Sequence, residues 1–92
     1  MVRIILTAQV EDSAKWEKGF RTHAELFRSI TGTNVLYFAT NDKNEVAIYA
    51  ETSDLGKYME SLGSPVTAEA MAHDGVKRET VRTFVLDKEF RY

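Results

Sequence analysis

Val35-Leu36-Tyr37-Phe38-Ala39-Thr40-Asn41-Asp42-Lys43-Asn44-Glu45-Val46-Ala47-Ile48-Tyr49-Ala50-Glu51 reads as a β-hairpin. Two runs rich in β-branched and aromatic residues flank four residues whose short polar side chains can bond their own backbone. The pattern predicts strands over 35–40 and 45–51, with the turn at Asn41-Asp42-Lys43-Asn44. Val35, Tyr37 and Ala39 fall on one face of the first strand, Leu36 and Phe38 on the other. In the second, Val46, Ile48 and Ala50 oppose Ala47 and Tyr49. Both faces carry apolar residues, whereas a sheet with one wet face alternates more cleanly. The hairpin therefore belongs to a sheet covered on both sides.

Upstream, Val2, Ile4, Leu6, Ala8 and Val10 alternate with Arg3, Ile5, Thr7 and Gln9, which predicts a strand over 2–10 with its first set toward the helices. Asp12 or Ser13 supplies an oxygen to cap a helix that runs to about Ile30, and Gly32 can end it. Its inner stripe is Trp16, Phe20, His23, Phe27 and Ile30, at steps of four, three, four and three. Downstream, Ser53 caps a short helix from Asp54 to about Leu62, with Leu55, Met59 and Leu62 inward and Tyr58 at the edge. Gly63 ends it, Ser64 caps the next, and Pro65 sits in that helix's first turn, where a missing N–H costs nothing. This segment continues to Gly75, and Val81 to Asp87 reads as the last strand.

The order is strand, helix, strand, strand, split helix, strand. It specifies an α+β, ferredoxin-like β-α-β-β-α-β domain with an antiparallel four-stranded sheet over residues 1–92. Ile5, Thr7, Leu36, Phe38, Tyr49, Phe84 and Leu86 are assigned to the face away from the helices. If half of that set amounts to ~400 Å² of apolar area, covering it is worth ~10 kcal/mol before association costs. A second copy of the sheet is the simplest cover.

Composition removes several function classes. The net charge of −2 argues against a nucleic-acid partner, which needs a clustered positive surface. The absence of cysteine excludes disulfides, thiolate catalysis and thiolate metal sites. No phosphate-cradling glycine run and no nucleophile elbow occur. No apolar run approaches the ~20 residues of a membrane span, and the N-terminal run alternates like a strand rather than a leader. A cytoplasmic protein without a membrane partner is the resulting expectation.

Trp16-Glu17-Lys18-Gly19-Phe20 followed by His23, the hairpin segments Val35-Leu36-Tyr37 and Asn44-Glu45-Val46, and Leu62-Gly63-Ser64-Pro65 with its run on to Glu69-Ala70-Met71 and Gly75-Val76 resemble the dimeric α/β-barrel superfamily. That group includes antibiotic-biosynthesis monooxygenases and muconolactone isomerase-like proteins, and these stretches most resemble an uncharacterised branch of it. The resemblance implies a homodimer whose sheets face one another, with a small cavity between sheet and helices in each subunit. In several members such cavities hold aromatic, polyketide-like, lactone or haem ligands.

His23 is the sharpest chemical signal, since it stands where an apolar residue is expected. It is the candidate acid–base residue. The alternative is a buried neutral imidazole bonded to Tyr37, Tyr49 or a backbone carbonyl. Trp16, Phe20 and Phe27 are candidate substrate-stacking residues, although their spacing is also that of a core. Tyr37 and Tyr49 are candidate hydroxyl donors to a developing oxyanion. His73 is explained by the negative end of its helix, and Asp12, Asp54 and Asp74 by caps and turns. No metal ligand set or cofactor is assigned, because two histidines fifty residues apart have no ligand spacing. The expectation is a homodimeric small-molecule-binding protein acting as a cofactor-independent monooxygenase or isomerase on a polar aromatic or enol-containing compound. A non-catalytic structural or regulatory dimer is the alternative, against which a cavity of ~300 Å³ or more beside His23 would count.

Overall fold

The computed structural model describes residues 1–92. Its elements are β1 (Val2–Val10), α1 (Ser13–Phe20), α2 (Ala24–Thr31), β2 (Tyr37–Thr40), β3 (Glu45–Thr52), α3 (Leu55–Leu62), α4 (Pro65–His73) and β4 (Val76–Val85). The strands form one antiparallel sheet in the order β2-β3-β1-β4. β3 lies between β1 and β2, which is the split β-α-β arrangement expected from the sequence.

The inner face of the sheet carries the core. Ile4, Leu6, Ala8 and Val10 of β1 are buried, with Val46 and Ala50 of β3 beside them. Trp16 and Phe20 of α1 close over one cluster, and Ile30 of α2 and Tyr58 of α3 close over another around Ile4. The turn between β2 and β3 ties this layer to the first helix. The Asn44 carbonyl accepts the Val10 N–H at 2.8 Å, and its side-chain oxygen accepts the Ser13 N–H at 3.0 Å. Asn44 has φ 57°, the left-handed backbone that asparagine tolerates better than most residues. Asp12 caps α1 by accepting from Ala14 and Lys15, and Gly32, with φ 74°, ends α2.

Several sequence expectations need correction. The first helix is two helices. After Phe20 the backbone tightens to i→i−3 bonds, Thr22 N–H to Gly19 and His23 N–H to Phe20. The Thr22 hydroxyl donates a further bond of 2.6 Å to the Gly19 carbonyl, competing with helical continuation. Leu36 and Phe38 pack inward, not outward. Alternation separates the two sets of side chains, but the pairing Tyr37↔Tyr49 and Phe38↔Ile48 decides which set meets the helices. In α3 the cap is Asp54, whose carboxylate accepts the Lys57 N–H, and Tyr58 is the buried residue while Met59 is exposed. Both fit a stripe with Leu55 and Leu62, and the space beneath Ile4 and Ile30 takes the ring. β4 begins at Val76, not Val81. Its register against β1 shifts between Thr7 and Gln9, where the Gln9 N–H is taken by the Thr80 hydroxyl at 2.8 Å. That irregularity breaks the alternation on which the sequence reading relied.

Candidate functional site

A cavity of about 90 Å³ lies between the sheet and the helices. Its walls are almost wholly apolar and include Trp16, Phe20, Phe27, Leu36 and Met71. Trp16 and Phe20 stack with ring centres 4.5 Å apart, Phe20 and Phe27 lie 4.4 Å apart, and Phe38 meets Trp16 and Phe20 edge-on. The three aromatic residues assigned to ligand stacking therefore stand together, and Trp16 and Phe20 are buried members of the core at the same time.

His23 and Asp74 are the charged-class residues of this wall. The break between α1 and α2 sets His23 at the start of α2, half-buried, with a side chain 21% exposed. Its Nε2 is buried and lies 3.1 Å from Oδ2 of Asp74, a carboxylate only 4% exposed. The approach is off the line of a straight hydrogen bond, so the contact is electrostatic and Nε2 has no well-aligned partner. The other carboxylate oxygen, Oδ1, lies 3.0 Å from Nδ1 of His73, which is 73% exposed. The His23 and His73 rings meet edge-on with centres 6.2 Å apart.

Gly19 makes room for this carboxylate. A Cβ on Gly19 would run into Oδ1 of Asp74 and come within 2.9 Å of its Cγ. The glycine inside a helical run is explained by that close approach. Asp74 itself closes α4, its N–H bonded to the Ala70 carbonyl. Reading Asp74 as a turn residue accounts for its backbone and misses its side chain. The fifty-residue gap between the histidines likewise gives no warning that the fold brings both to one carboxylate.

Tyr37 and Tyr49 stand elsewhere. They are cross-strand partners on the outer face, ring centres 6.0 Å apart, with the sheet between them and His23. Neither lines the cavity, so within one chain neither can support an oxyanion beside His23. The Tyr49 hydroxyl donates to Glu51 at 3.0 Å, and partial loss of water together with that carboxylate raises its phenol above the ordinary 10.0. His23 is bonded to neither tyrosine.

A second, open cavity of about 280 Å³ adjoins the first. Phe20, Phe27 and Leu36 line both, so one layer of side chains separates them. Arg21 and Arg28 border the second cavity, and the Arg21 guanidinium lies 5.1 Å from the centre of the Phe38 ring.

No protein-family model and no curated protein matches the sequence. Solved structures do. SnoaB, a cofactor-independent oxygenase from Streptomyces nogalater, matches with a TM-score of 0.68 at 16% identity, over 98% of this chain and 94% of that one. A crystal structure described as antibiotic biosynthesis monooxygenase gives 0.67 at 10% identity, over 97% and 99%. An ethyl tert-butyl ether D family protein from Bacillus halodurans gives 0.60 at 13% identity, over 97% and 100%. Identities this low express a likeness of fold. The chain has the ferredoxin-like fold of the antibiotic-biosynthesis-monooxygenase type, along its whole length. No helix is long and apolar enough to cross a membrane.

Proposed function

We propose that this chain forms a homodimer that binds a small aromatic or enolic compound and transfers a proton to or from it, as a cofactor-independent monooxygenase or isomerase. One observation carries the reading: a histidine backed by a buried carboxylate sits at the edge of an aromatic-walled cavity. Asp74 favours a proton on Nε2 of His23, which leaves Nδ1 as the nitrogen with a free lone pair. That nitrogen takes the proton of a phenol or enol. The resulting anion either accepts the proton back at another carbon or gives electrons to dioxygen, the oxidant of the monooxygenase variant. Trp16, Phe20 and Phe27 hold the flat body of the ligand by stacking. Arg21 and Arg28 offer positive charge where a larger, acidic ligand extends into the open cavity. The fold shared with SnoaB supports the reading by analogy only.

At about 90 Å³ the cavity is smaller than the ~150 Å³ that an engineered cavity offers benzene, so binding requires the Phe27 side of the wall to move. The same small volume favours a second reading, a structural or regulatory dimer in which the His23–Asp74 contact only settles a core histidine. One series of experiments separates the two. Trp16 is the single tryptophan, so its emission reports this wall alone. Titration with 1-naphthol and with cyclic 1,3-diketones should change that emission saturably. With any compound that is turned over, His23→Ala should abolish turnover while the circular dichroism spectrum is kept. An emission that ignores every such compound, or turnover that survives the substitution, defeats the catalytic reading.

A further inference from the structure

We infer that His23, His73 and Asp74 form a binding site for a divalent first-row transition metal ion, with zinc as the reference case. The inference goes beyond proton transfer in the cavity and does not depend on it. One donor atom from each of the three residues lies within 4.8 Å of the others. Each histidine meets a different oxygen of the same carboxylate, His23 Nε2 at 3.1 Å from Oδ2 and His73 Nδ1 at 3.0 Å from Oδ1, so an ion between the two imidazoles has both carboxylate oxygens within reach. Two imidazoles and a carboxylate are a donor set that borderline divalent ions prefer, and one that magnesium and calcium do not.

Three independent features point the same way. Nε2 of His23 is buried without an aligned hydrogen-bond partner, which is costly for a polar atom unless something fills the position. Asp74 is a buried carboxylate whose ionic partners are the two histidines, with no lysine or arginine paired to it. Gly19 lets that carboxylate pack against the helix backbone, in the position that any other residue's Cβ would take, and so holds it beside both histidines. The C-terminal end of α4, which presents His73 and Asp74, also carries the negative end of its helix dipole.

Access and coordination fit as well. His73 is largely exposed, so a hydrated ion can be captured from solvent and passed inward. Three protein ligands leave a further position open for water or a ligand atom, next to the cavity that His23 and Asp74 line. A metal on Nε2 takes the nitrogen that Asp74 otherwise holds, so metal loading and proton transfer by His23 are alternative states of one site.

The test uses the full, untagged chain freed of metal by dialysis against a chelator. Isothermal titration with Zn²⁺ should give one ion per chain, and Co²⁺ should give the visible absorption of a four- or five-coordinate centre. His73→Ala is the informative variant, since an exposed side chain can be removed without disturbing the core. It should weaken Zn²⁺ binding at least about 100-fold, beyond the range that loss of an outer-shell partner produces. It should also abolish the zinc-induced rise in melting temperature while the circular dichroism spectrum is unchanged. Absence of stoichiometric Zn²⁺ binding overturns the inference, and so does equal affinity in His73→Ala. Neither result touches the proton-transfer reading, which is tested on the metal-free protein.

Discussion

At the scale of single residues, the contact between Gly19 and Asp74 organises the site. Alanine is the better helix former by about 1 kcal/mol, so a helix considered alone gains from Gly19→Ala. Here the added methyl meets a buried carboxylate, and overpacking of that kind costs about 1–3 kcal/mol. Gly19→Ala should therefore destabilise in urea. Gly56→Ala, where the nearest atom would be 3.5 Å away, should be neutral or gain up to about 1 kcal/mol. If the two substitutions act alike, the Asp74 carboxylate does not sit where the structure puts it. Tyr58 gives a second prediction at this scale. Burial raises its phenol above 10.0, so the native state holds that proton more tightly than the unfolded chain does. The associated stability is complete below about pH 10 and is lost as pH rises through the higher native value. Tyr58→Phe should change stability little at pH 7 and move the alkaline unfolding transition, followed by circular dichroism, to higher pH. An alkaline limb identical in both proteins contradicts the burial. His23 was legible as an anomaly because it interrupts an apolar stripe, whereas its partner was not. An aspartate at a helix end has an ordinary explanation in sequence, and only the tertiary fold shows the carboxylate turned inward.

At the scale of elements, local chemistry was readable at most positions where the deciding contacts are local, the exception being the α3 cap, which is Asp54 rather than Ser53. The alternation of β1, Asp12 as one of the two caps offered for the first helix, the Ser64 cap, the Gly32 stop and the Asn41–Asn44 turn depend on neighbours within a few residues, and each appears in the structure. The other misreadings share a different cause. The α1–α2 break combines a threonine back-bond with a tertiary contact from Asp74, and the orientation of Leu36 and Phe38 follows from strand register. The early start of β4 follows from an irregular ladder. None leaves a periodic trace. The junction of the hairpin turn with α1 is a quantitative case. Asn44 combines a left-handed backbone with a side-chain acceptor for the Ser13 N–H. Asn44→Gly keeps the backbone and loses one hydrogen bond, about 0.5–1.5 kcal/mol. Asn44→Ala loses the bond and adds about 1–2 kcal/mol of strain at positive φ. Chemical denaturation should rank wild type above Gly and Gly above Ala, and an Ala variant as stable as the Gly variant rules out the strained turn.

At the scale of the whole molecule, the outer face of the sheet is the surface from which assembly is argued. Tyr37 is 65% exposed and Phe84 55%, on a face that also carries Ile5, Ala39, Ala47 and Tyr49. Thr7 is the polar residue among them, and Arg3, Glu51 and Arg82 lie beside them on the same face. Glu51 is engaged by the Tyr49 hydroxyl, and Arg82 donates to the carbonyls of Glu79 and Val81 in its own strand. A patch of aromatic and small apolar side chains bordered by Arg3, Glu51 and Arg82 suits a self-complementary surface with a polar rim. A second copy of this sheet is the simplest cover, because a two-fold axis brings the same apolar patch of both copies together, residue i of one meeting j of the other and j meeting i. The expected species in solution is a dimer of twice 10.5 kDa across a wide dilution range. Phe84→Glu places one negative charge from each copy in such an interface and should give a folded monomer by light scattering. Lys15→Glu, on the exposed side of α1, should leave the dimer intact. The cavity, His23 and Asp74 lie on the opposite side of the sheet and within one chain, so the monomeric variant should keep the ligand response of Trp16. A wild-type chain that is monomeric at every concentration, or a Phe84→Glu variant that stays dimeric, would move the interface off this face and leave the tyrosine pair free to meet a different partner.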